Sequence, residues 1–290
     1  MRSARSLLLA VAAVMGVATV AGCSGAASRD SAEELSGMPY STVDGKDLLA
    51  DGCLAPPTGG GAPAIVLLHG GGFEEGGRAS SGMPELCTTL AAAGYSAFSI
   101  DYRLLPESSF PDQVDDAGAA VAWLREPEQV ERFDIDPDRI GVFGSSAGAI
   151  IAQGLGTAGS GSLESGSRVS AVVSMSGASD FTENGLTLGR PTVEVQKLIL
   201  AYLGCSTLTS CPVARDASPL YSVTGDDSPM ILLNSTEEIV PEQQSEAMAG
   251  ALKKAGVTTE LVITGGSKHG ISALTSANMV KIQRFLVDTL

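Results

Sequence analysis

The feature that most constrains the fold is the alternation of short apolar segments with longer helical segments. Each apolar segment is nearly continuous, as in strands buried on both faces of a parallel sheet. The predicted strands are "AIVLL" (64–68), "SAFSIDY" (96–102), "RIGVF" (139–143), "VSAVVSM" (169–175), "SPMILLN" (228–234) and "TELVIT" (259–264). The predicted helices cover 84–93, 111–126, 147–158, 193–203, 241–255 and 276–288. This order predicts an α/β fold with a mainly parallel central sheet flanked by helices, and the irregular stretch 181–227 predicts a small insertion or cap.

Composition narrows the classes of partner that the chain can bind. Its 290 residues, 44% of them hydrophobic, suffice for one large domain with a sizeable core. A formal net charge of −15 argues against nucleic acid as a partner, because a phosphate backbone selects basic surfaces. The only histidines are His69 and His269, so a zinc site built on imidazoles is not expected. We expect no metal and no organic cofactor.

The stretch "FGSSAGA" (143–149) contains the only G-x-S-x-G pattern in the chain, formed by Gly144, Ser146 and Gly148. A predicted strand precedes it and a predicted helix follows, so Ser146 is placed on a sharp strand-to-helix turn. Such a turn exposes the hydroxyl and directs the N–H of Ala147 into the same space. A serine that merely caps the helix would explain Ser146 but not both glycines.

Three consecutive glycines in "LLHGGGF" (67–73) follow another predicted strand. Glycine is entropically costly to fold, so a run of three requires a reason. Backbone N–H groups without side chains can approach a substrate oxygen that becomes negatively charged during acyl transfer. Gly71 and Gly72 are therefore interpreted as oxyanion donors, and a plain flexible loop is the alternative.

Four motifs in order resemble a known family: "HGGGF", "IDYRLLPESSFPDQVDDAGAAVAWLRE" (100–126), "FDIDPDRIGVFGSSAG" (133–148) and "KHG" (268–270). Over residues 40–290 the chain resembles α/β-hydrolase esterases of the hormone-sensitive-lipase-like group. Acetyl-xylan and feruloyl esterase-like enzymes are equally similar. The resemblance implies an α/β-hydrolase fold. It also implies Ser146 as nucleophile, His269 as base, and an oxyanion hole made by Gly71, Gly72 and Ala147.

The triad acid is the position where the chain departs most from this resemblance. The family carries an aspartate in a "GTxDxxVP"-like turn, and the matching stretch here is "NSTEEIVP" (234–241). Alignment on Val240 and Pro241 places Glu237 at the acid position, and a slip of one residue would place Glu238 there. Neighbouring residues in an extended segment point to opposite sides, so only one of them can face His269. A further departure is Ser145, where the family often has an acidic residue.

Other motif residues are predicted to be structural. His69 directly precedes the glycines and is expected to shape their loop, although as the only other histidine it could be the base. The resemblance also places four side chains on motif positions where we expect them to hold the turn and first helices together: Tyr102, Arg103, Asp116 and Trp123.

The N-terminus is typical of an export signal. Arg2 and Arg5 precede a nearly unbroken apolar stretch, residues 7–21, which is short for a membrane span. The stretch ends in "VAGC" (20–23), which resembles a bacterial lipobox. We therefore expect residues 1–22 to be a lipoprotein-type signal, Cys23 to be lipidated, and residues 23–39 to form a flexible tether before a catalytic domain at 40–290. Ordinary secretion is the alternative.

The remaining four cysteines are expected to form disulfides in an exported protein, where three pairings are possible. Cys205 and Cys211 lie close together in "CSTLTSC" and are predicted to pair locally, leaving Cys53 to pair with Cys87. The alternative, a nucleophilic cysteine, is disfavoured in an oxidising compartment.

The sequence thus predicts an exported serine carboxylic-ester hydrolase anchored to the membrane surface only through a lipid. It would act on small, neutral esters, because Glu74 and Glu75 follow the glycines and an acidic site repels acidic substrates. A serine peptidase of the same fold is one alternative, although the chain has no room for the gating domain that such peptidases bring. A protein of this fold that binds without catalysis is the other.

Overall fold

The fold is built on one eight-stranded sheet. The computed structural model describes residues 33–57 and 59–290. The strands are β1 (Glu33–Val43), β2 (Lys46–Leu54), β3 (Ala62–Leu68), β4 (Ser96–Ile100), β5 (Ile135–Ser145), β6 (Ala171–Met175), β7 (Met230–Ser235) and β8 (Thr259–Thr264). Their order across the sheet is β1-β2-β4-β3-β5-β6-β7-β8. The six strands from β4 to β8 in this order run parallel, which confirms the predicted parallel sheet and all six predicted strands.

The parallel strands are apolar throughout because helices cover both of their faces. In β3, Ile65 and Leu67 face one hydrophobic core while Val66 and Leu68 face the other, and all four side chains are fully buried. The period-2 alternation of strand side chains therefore divides one apolar run between two cores.

The remaining strands, β1 and β2, form an antiparallel hairpin that pairs with β4 through β2. The hairpin turns at Asp44 and Gly45, which both have positive φ (51° and 75°), as a two-residue primed turn requires. Met38 and Tyr40 of β1 are buried in the core. Residues 33–39, predicted as part of the flexible tether, are therefore strand, and that prediction is wrong for them. The rest of the tether, the signal segment and Cys23 lie outside the described residues.

Eight α-helices lie in the described part of the chain: α1 (Met83–Ala92), α2 (Asp112–Leu124), α3 (Pro127–Phe133), α4 (Ala147–Gly156), α5 (Val193–Tyr202), α6 (Pro219–Ser222), α7 (Glu242–Ala255) and α8 (Ser276–Thr289). Helices α1 and α8 cover one face of the sheet, and α2, α4 and α7 cover the other. The six predicted helices are confirmed to within three residues at each end, while α3 and α6 are not among the predictions. None of these helices is long and apolar enough to cross a membrane.

The predicted insertion, 181–227, carries α5 and α6 between β6 and β7. Tyr202 at the end of α5 stacks on Phe73 with ring centroids 4.1 Å apart, so the insertion packs on the loop that follows β3. Both predicted disulfides are present. The disulfide between Cys205 and Cys211 closes a short loop that follows α5, and the disulfide between Cys53 and Cys87 links β2 to α1.

Candidate active site

The predicted site residues meet at the carboxyl edge of the parallel strands. Ser146 directly follows β5, the glycine run begins two residues after β3, and His269 lies on the loop after β8. The carboxyl ends of parallel strands share one edge of the sheet, where open α/β folds bind ligands. Residues separated by up to 200 positions in the chain are thereby brought together.

Ser146 lies on a strained turn between β5 and α4. Its φ of 55° and ψ of −116° are rare for a residue with a side chain. A Cβ at Gly144 would lie 2.1 Å from the carbonyl oxygen of Gly148, and one at Gly148 would lie 2.2 Å from that of Leu68. Both flanking glycines are therefore required by close backbone approach, as the motif predicts.

The Ser146 hydroxyl is hydrogen-bonded to a histidine, as predicted. Nε2 of His269 lies 2.7 Å from Oγ of Ser146. The imidazole side chain is 25% exposed, so it borders both the protein interior and the open groove above the serine. This geometry lets Nε2 accept the hydroxyl proton without any movement of either side chain.

The other ring nitrogen of His269 contacts Glu238, not Glu237. Nδ1 forms a short hydrogen bond with Oε2 of Glu238, whose side chain is fully buried. Glu237 is exposed, and its backbone N–H donates to the carbonyl oxygen of Gly266. The prediction of Glu237 is therefore wrong by one residue. Residues 236 and 237 form a turn after β7, and the hydrogen bonds that Asn234 and Ser235 donate to Oε1 hold the Glu238 side chain inward, while Glu237 stays in solvent.

Three donors hold the second oxygen of the Glu238 carboxylate. Oε1 accepts hydrogen bonds from Nδ2 of Asn234 at 2.7 Å, from the Ser235 N–H at 2.8 Å, and from Oγ of Ser176 at 2.9 Å. Asn234 and Ser235 belong to the "NSTEEIVP" motif, so the sequence could have indicated them as partners of the acid. Ser176 carries no such signal, because it follows β6 and meets Glu238 only in the folded chain.

The glycine run lies beside Ser146, and its backbone conformation explains two of the glycines. Gly71 has φ +119°, and a Cβ there would lie 2.0 Å from the carbonyl oxygen of Glu75. A Cβ at Gly72, with φ +62°, would lie 3.1 Å from the Leu198 side chain of α5. Gly70 and Gly71 line the groove above Ser146.

The third predicted oxyanion donor, Ala147, is the first residue of α4. Its N–H is one of the first four in the helix, which have no acceptor within the helix. The positive end of the helix dipole adds to the attraction of this N–H for an anion.

His69 shapes the glycine loop, as predicted. The ring is buried and stacks on Tyr102 with centroids 4.2 Å apart. Nδ1 lies 2.6 Å from the carbonyl oxygen of Gly70 and so donates to it, while Oη of Tyr102 donates to the carbonyl oxygen of His69. Burial lowers the pKa of His69, which favours the neutral ring. These contacts make His69 a support for the glycine loop.

The other motif residues form structural contacts, in agreement with the prediction. The guanidinium of Arg103 binds the buried carboxylate of Asp116 through Nε and Nη2, at 2.8 to 3.0 Å. Hydrogen bonding to Asp116 raises the pKa of Arg103. Trp123 packs against Phe98 and Phe133 in the core. These contacts fix the segment after β4 against α2.

Above Ser146 and His269 lies an open groove of about 430 Å³. Its lining is His69, Gly70, Gly71, Glu75, Gly76, Ser80, Ser81, Met83, Ser145, Ser146, His269, Gly270 and Ile271. Glu75 is the single carboxylate of this lining. No group of three or more potential metal ligands occurs within residues 33–57 and 59–290.

One wall of the groove is held by an ion-pair clamp at Arg78. Its Nε lies 2.9 Å from Oδ1 of Asp51, and its Nη1 lies 2.6 Å from Oδ2 of Asp101. The Ser99 hydroxyl donates to the Arg78 carbonyl oxygen. The loop that carries Glu75, Ser80 and Ser81 is thus fixed to β2 and β4 instead of moving freely over the serine.

Comparison with known proteins gives a consistent set of matches. The profile of the family described as BD-FAE matches residues 53–252. Esterase LipC of Mycobacterium tuberculosis is 28% identical over 226 residues, which cover 74% of this chain and 55% of LipC. Ethyl acetate hydrolase of Pseudomonas putida is 29% identical over 225 residues, covering 73% of this chain and 67% of that protein. Neutral cholesterol ester hydrolase 1 of Mus musculus is 36% identical over 94 residues, covering 32% of this chain and 23% of that protein.

Solved structures with the same architecture include two esterases. A truncated carbohydrate esterase from gut microbiota superposes with a TM-score of 0.75 at 20% identity, covering 89% of this chain and 96% of that one. At this identity the likeness shows the fold alone. Esterase 2 of Thermogutta terrifontis superposes with a TM-score of 0.65 at 27% identity, covering 89% of this chain and 90% of that one.

Proposed function

The chain belongs to the BD-FAE family, as the resemblance of its motifs to α/β-hydrolase esterases led us to expect, and from this premise we propose that it is a serine carboxylic-ester hydrolase. One observation carries the proposal: Ser146, His269 and the buried Glu238 form a continuous hydrogen-bonded chain that opens into a groove. The relatives whose names describe ester hydrolysis support the reaction class.

In the acylation step, Oγ of Ser146 attacks the ester carbonyl carbon while Nε2 of His269 takes the hydroxyl proton. The carbonyl oxygen becomes an oxyanion, for which we propose the N–H groups of Gly71, Gly72 and Ala147 as donors. The Glu238 carboxylate stabilises the imidazolium that forms. Collapse of the tetrahedral intermediate breaks the bond to the alcohol oxygen, which leaves with the proton from Nε2.

In the deacylation step, a water molecule replaces the alcohol. Nε2 of His269 takes a proton from this water as its oxygen attacks the acyl carbon. The second tetrahedral intermediate expels Oγ of Ser146, which regains its proton from the imidazolium. The products are a carboxylic acid and the free enzyme, so the atoms balance without a cofactor.

The groove supports small, neutral esters as the substrate class. Its lining combines the polar side chains of Ser80, Ser81 and Glu75 with several glycines and the apolar side chains of Met83 and Ile271. The carboxylate of Glu75 repels an anionic acyl or alcohol group, and the net charge of −15 adds to this repulsion.

Glu75→Gln is therefore expected to change selectivity between charged and neutral esters. The ratio of kcat/KM for mono-4-nitrophenyl succinate over that for 4-nitrophenyl butyrate should rise about 3- to 10-fold at low ionic strength, and less at high salt. Glu74→Gln is the matched control, because Glu74 is also exposed and adjacent but does not line the groove. Equal ratios in the two variants would mean that general surface charge sets the selectivity, not Glu75.

We also propose that the protein is an exported lipoprotein, on the basis of the apolar segment and "VAGC" (20–23). Cys23→Ala should release the protein from the membrane fraction of the producing bacterium. Each acyl chain contributes about 0.8 kcal/mol per buried CH₂, so two or more chains anchor firmly where none anchors at all. Immunoblots of membrane and soluble fractions measure the change. Equal pelleting of the variant and the wild type would contradict lipidation.

Labelling with a fluorophosphonate probe tests the proposed reaction class directly. The probe phosphonylates only a serine that a neighbouring base activates, so the adduct should map to the peptide containing Ser146. An unlabelled, folded protein would support the binding-only alternative. Labelling combined with hydrolysis of peptide amides but not of esters would support the peptidase alternative.

A further inference from the structure

We propose that Ser176 is a positioning residue of the triad, one that fixes both the acid and the histidine loop through a single hydroxyl. This inference rests on the proposed function, because it assigns a role within the same reaction. Its basis is a junction of three loops, those after β6, β7 and β8, at the Ser176 side chain.

The hydroxyl of Ser176 has two partners with fixed roles. The backbone N–H of Gly270 can only donate, so Oγ accepts from it at 2.8 Å. The hydroxyl has one proton of its own, which it donates to Oε1 of Glu238 at 2.9 Å. Because Gly270 directly follows His269, one side chain connects the triad acid to the loop that carries the base.

The backbone conformation at Ser176 would favour glycine, so it is the hydroxyl group that accounts for a serine at this position. Its φ is 61°, in the left-handed region where glycine is relaxed and other residues are strained. The residue is 1% exposed, and its N–H donates to the carbonyl oxygen of Leu233 in β7. A side chain held in this conformation beside a candidate catalytic group is the kind of strain that accompanies function.

Loss of the hydroxyl removes one of the three hydrogen bonds that stabilise the negative charge on the Glu238 carboxylate. Asn234 and Ser235 remain as donors to Oε1, so the carboxylate stays in place but is less well solvated. A carboxylate with one donor fewer holds the protonated imidazolium of His269 more strongly. Protonated His269 cannot accept the Ser146 proton, so the inactive form persists to higher pH.

Ser176→Ala is therefore expected to lower kcat about 10-fold and to move the acidic limb of the kcat/KM profile upward by roughly half a pH unit. The second variant, Ser176→Gly, removes the hydroxyl but relaxes the backbone. It should unfold at higher denaturant concentration than Ser176→Ala and show the same shifted limb. A merely structural serine would instead give normal kinetics in Ser176→Gly.

Ser145→Ala provides a matched control. The Ser145 hydroxyl accepts from the N–H of Ile271, one residue further along the same loop, but does not contact Glu238. Its removal should therefore loosen the His269 loop without moving the acidic limb. The other charged groups near His269 are Glu75 across the groove and the exposed Glu237 and Lys268, and they are the same in all three variants.

The rate of fluorophosphonate labelling of Ser146, measured against pH, reports the same acidic limb even for a variant that turns over slowly. Circular dichroism checks that each variant is folded. The inference is supported if both Ser176 variants shift the limb and Ser145→Ala does not. It is overturned if the Ser176 profiles superpose on that of the wild type, or if Ser145→Ala shifts the limb equally. Failure of the proposed function is a different result, namely no labelling of wild-type Ser146 at any pH.

Discussion

Ser146→Ala is expected to lower kcat for 4-nitrophenyl acetate by about 10⁴-fold or more, because no other group can form the acyl-enzyme. Its hydroxyl contacts the His269 ring at the groove surface, and the backbone turn is held by other bonds, including the Ser146 N–H to the Met175 carbonyl oxygen. Alanine keeps the same φ restriction, so the fold should not change. Steady-state kinetics with subtraction of spontaneous hydrolysis measure the loss.

Ser145→Ala is the natural comparison for this result, since it alters the neighbouring residue of the same turn. It removes one hydrogen bond to the Ile271 N–H but leaves the nucleophile. A Ser146→Ala protein with unchanged circular dichroism that keeps more than about a hundredth of the wild-type rate would refute the nucleophile assignment.

The parallel part of the sheet was predictable because strands buried on both faces have nearly continuous apolar sequences. Residues 64–68 and 139–143 contain hardly any polar side chain, and a run of this length between turn residues favours a buried strand. The strands of the β1–β2 hairpin have no such continuous apolar run. Its register shifts between Leu35 and Met38 and again between Pro39 and Ser41, which breaks the alternation of apolar residues.

The turn at Ser146 and the glycine loop were predictable because both depend on close backbone approach. A Cβ at Gly144, Gly148 or Gly71 would lie within 2.2 Å of a carbonyl oxygen, so each glycine is required by the backbone path. Requirements of this kind are visible as glycines at fixed spacing. Ser176 was not predictable, since nothing beside it in the sequence indicates a left-handed conformation or a contact with a residue 62 positions away.

The triad acid shows the limit of motif alignment most clearly. Alternation along an extended segment established that only one of two adjacent glutamates could face His269. It could not establish which one, because the phase depends on where β7 ends. In the structure residues 236 and 237 form a turn, in which their N–H groups donate to the carbonyl oxygens of Thr264 and Gly266, and the Glu238 carboxylate bonds back to Asn234 and Ser235. The shape of this turn decides which glutamate faces inward.

Glu238→Gln is expected to lower kcat by about 10⁴-fold, and the reason lies in the donors around the carboxylate. Three N–H and O–H groups, from Asn234, Ser235 and Ser176, point at Oε1. The oxygen of a glutamine amide would occupy that position, which leaves its NH₂ group facing Nδ1 of His269. An NH₂ donor selects the tautomer whose proton is on Nε2, and that tautomer cannot accept the Ser146 proton.

Glu237→Gln is the matched control, an identical change one residue away on an exposed side chain. It should alter kcat by less than about twofold, since a solvated surface charge contributes little. Measurement of kcat for both variants on one short-chain ester separates the two glutamates by more than three orders of magnitude. A large loss in Glu237→Gln with a small one in Glu238→Gln would show that the working enzyme uses the register predicted from the motif. Large losses in both would point to a damaged turn, which denaturant unfolding of each variant would reveal.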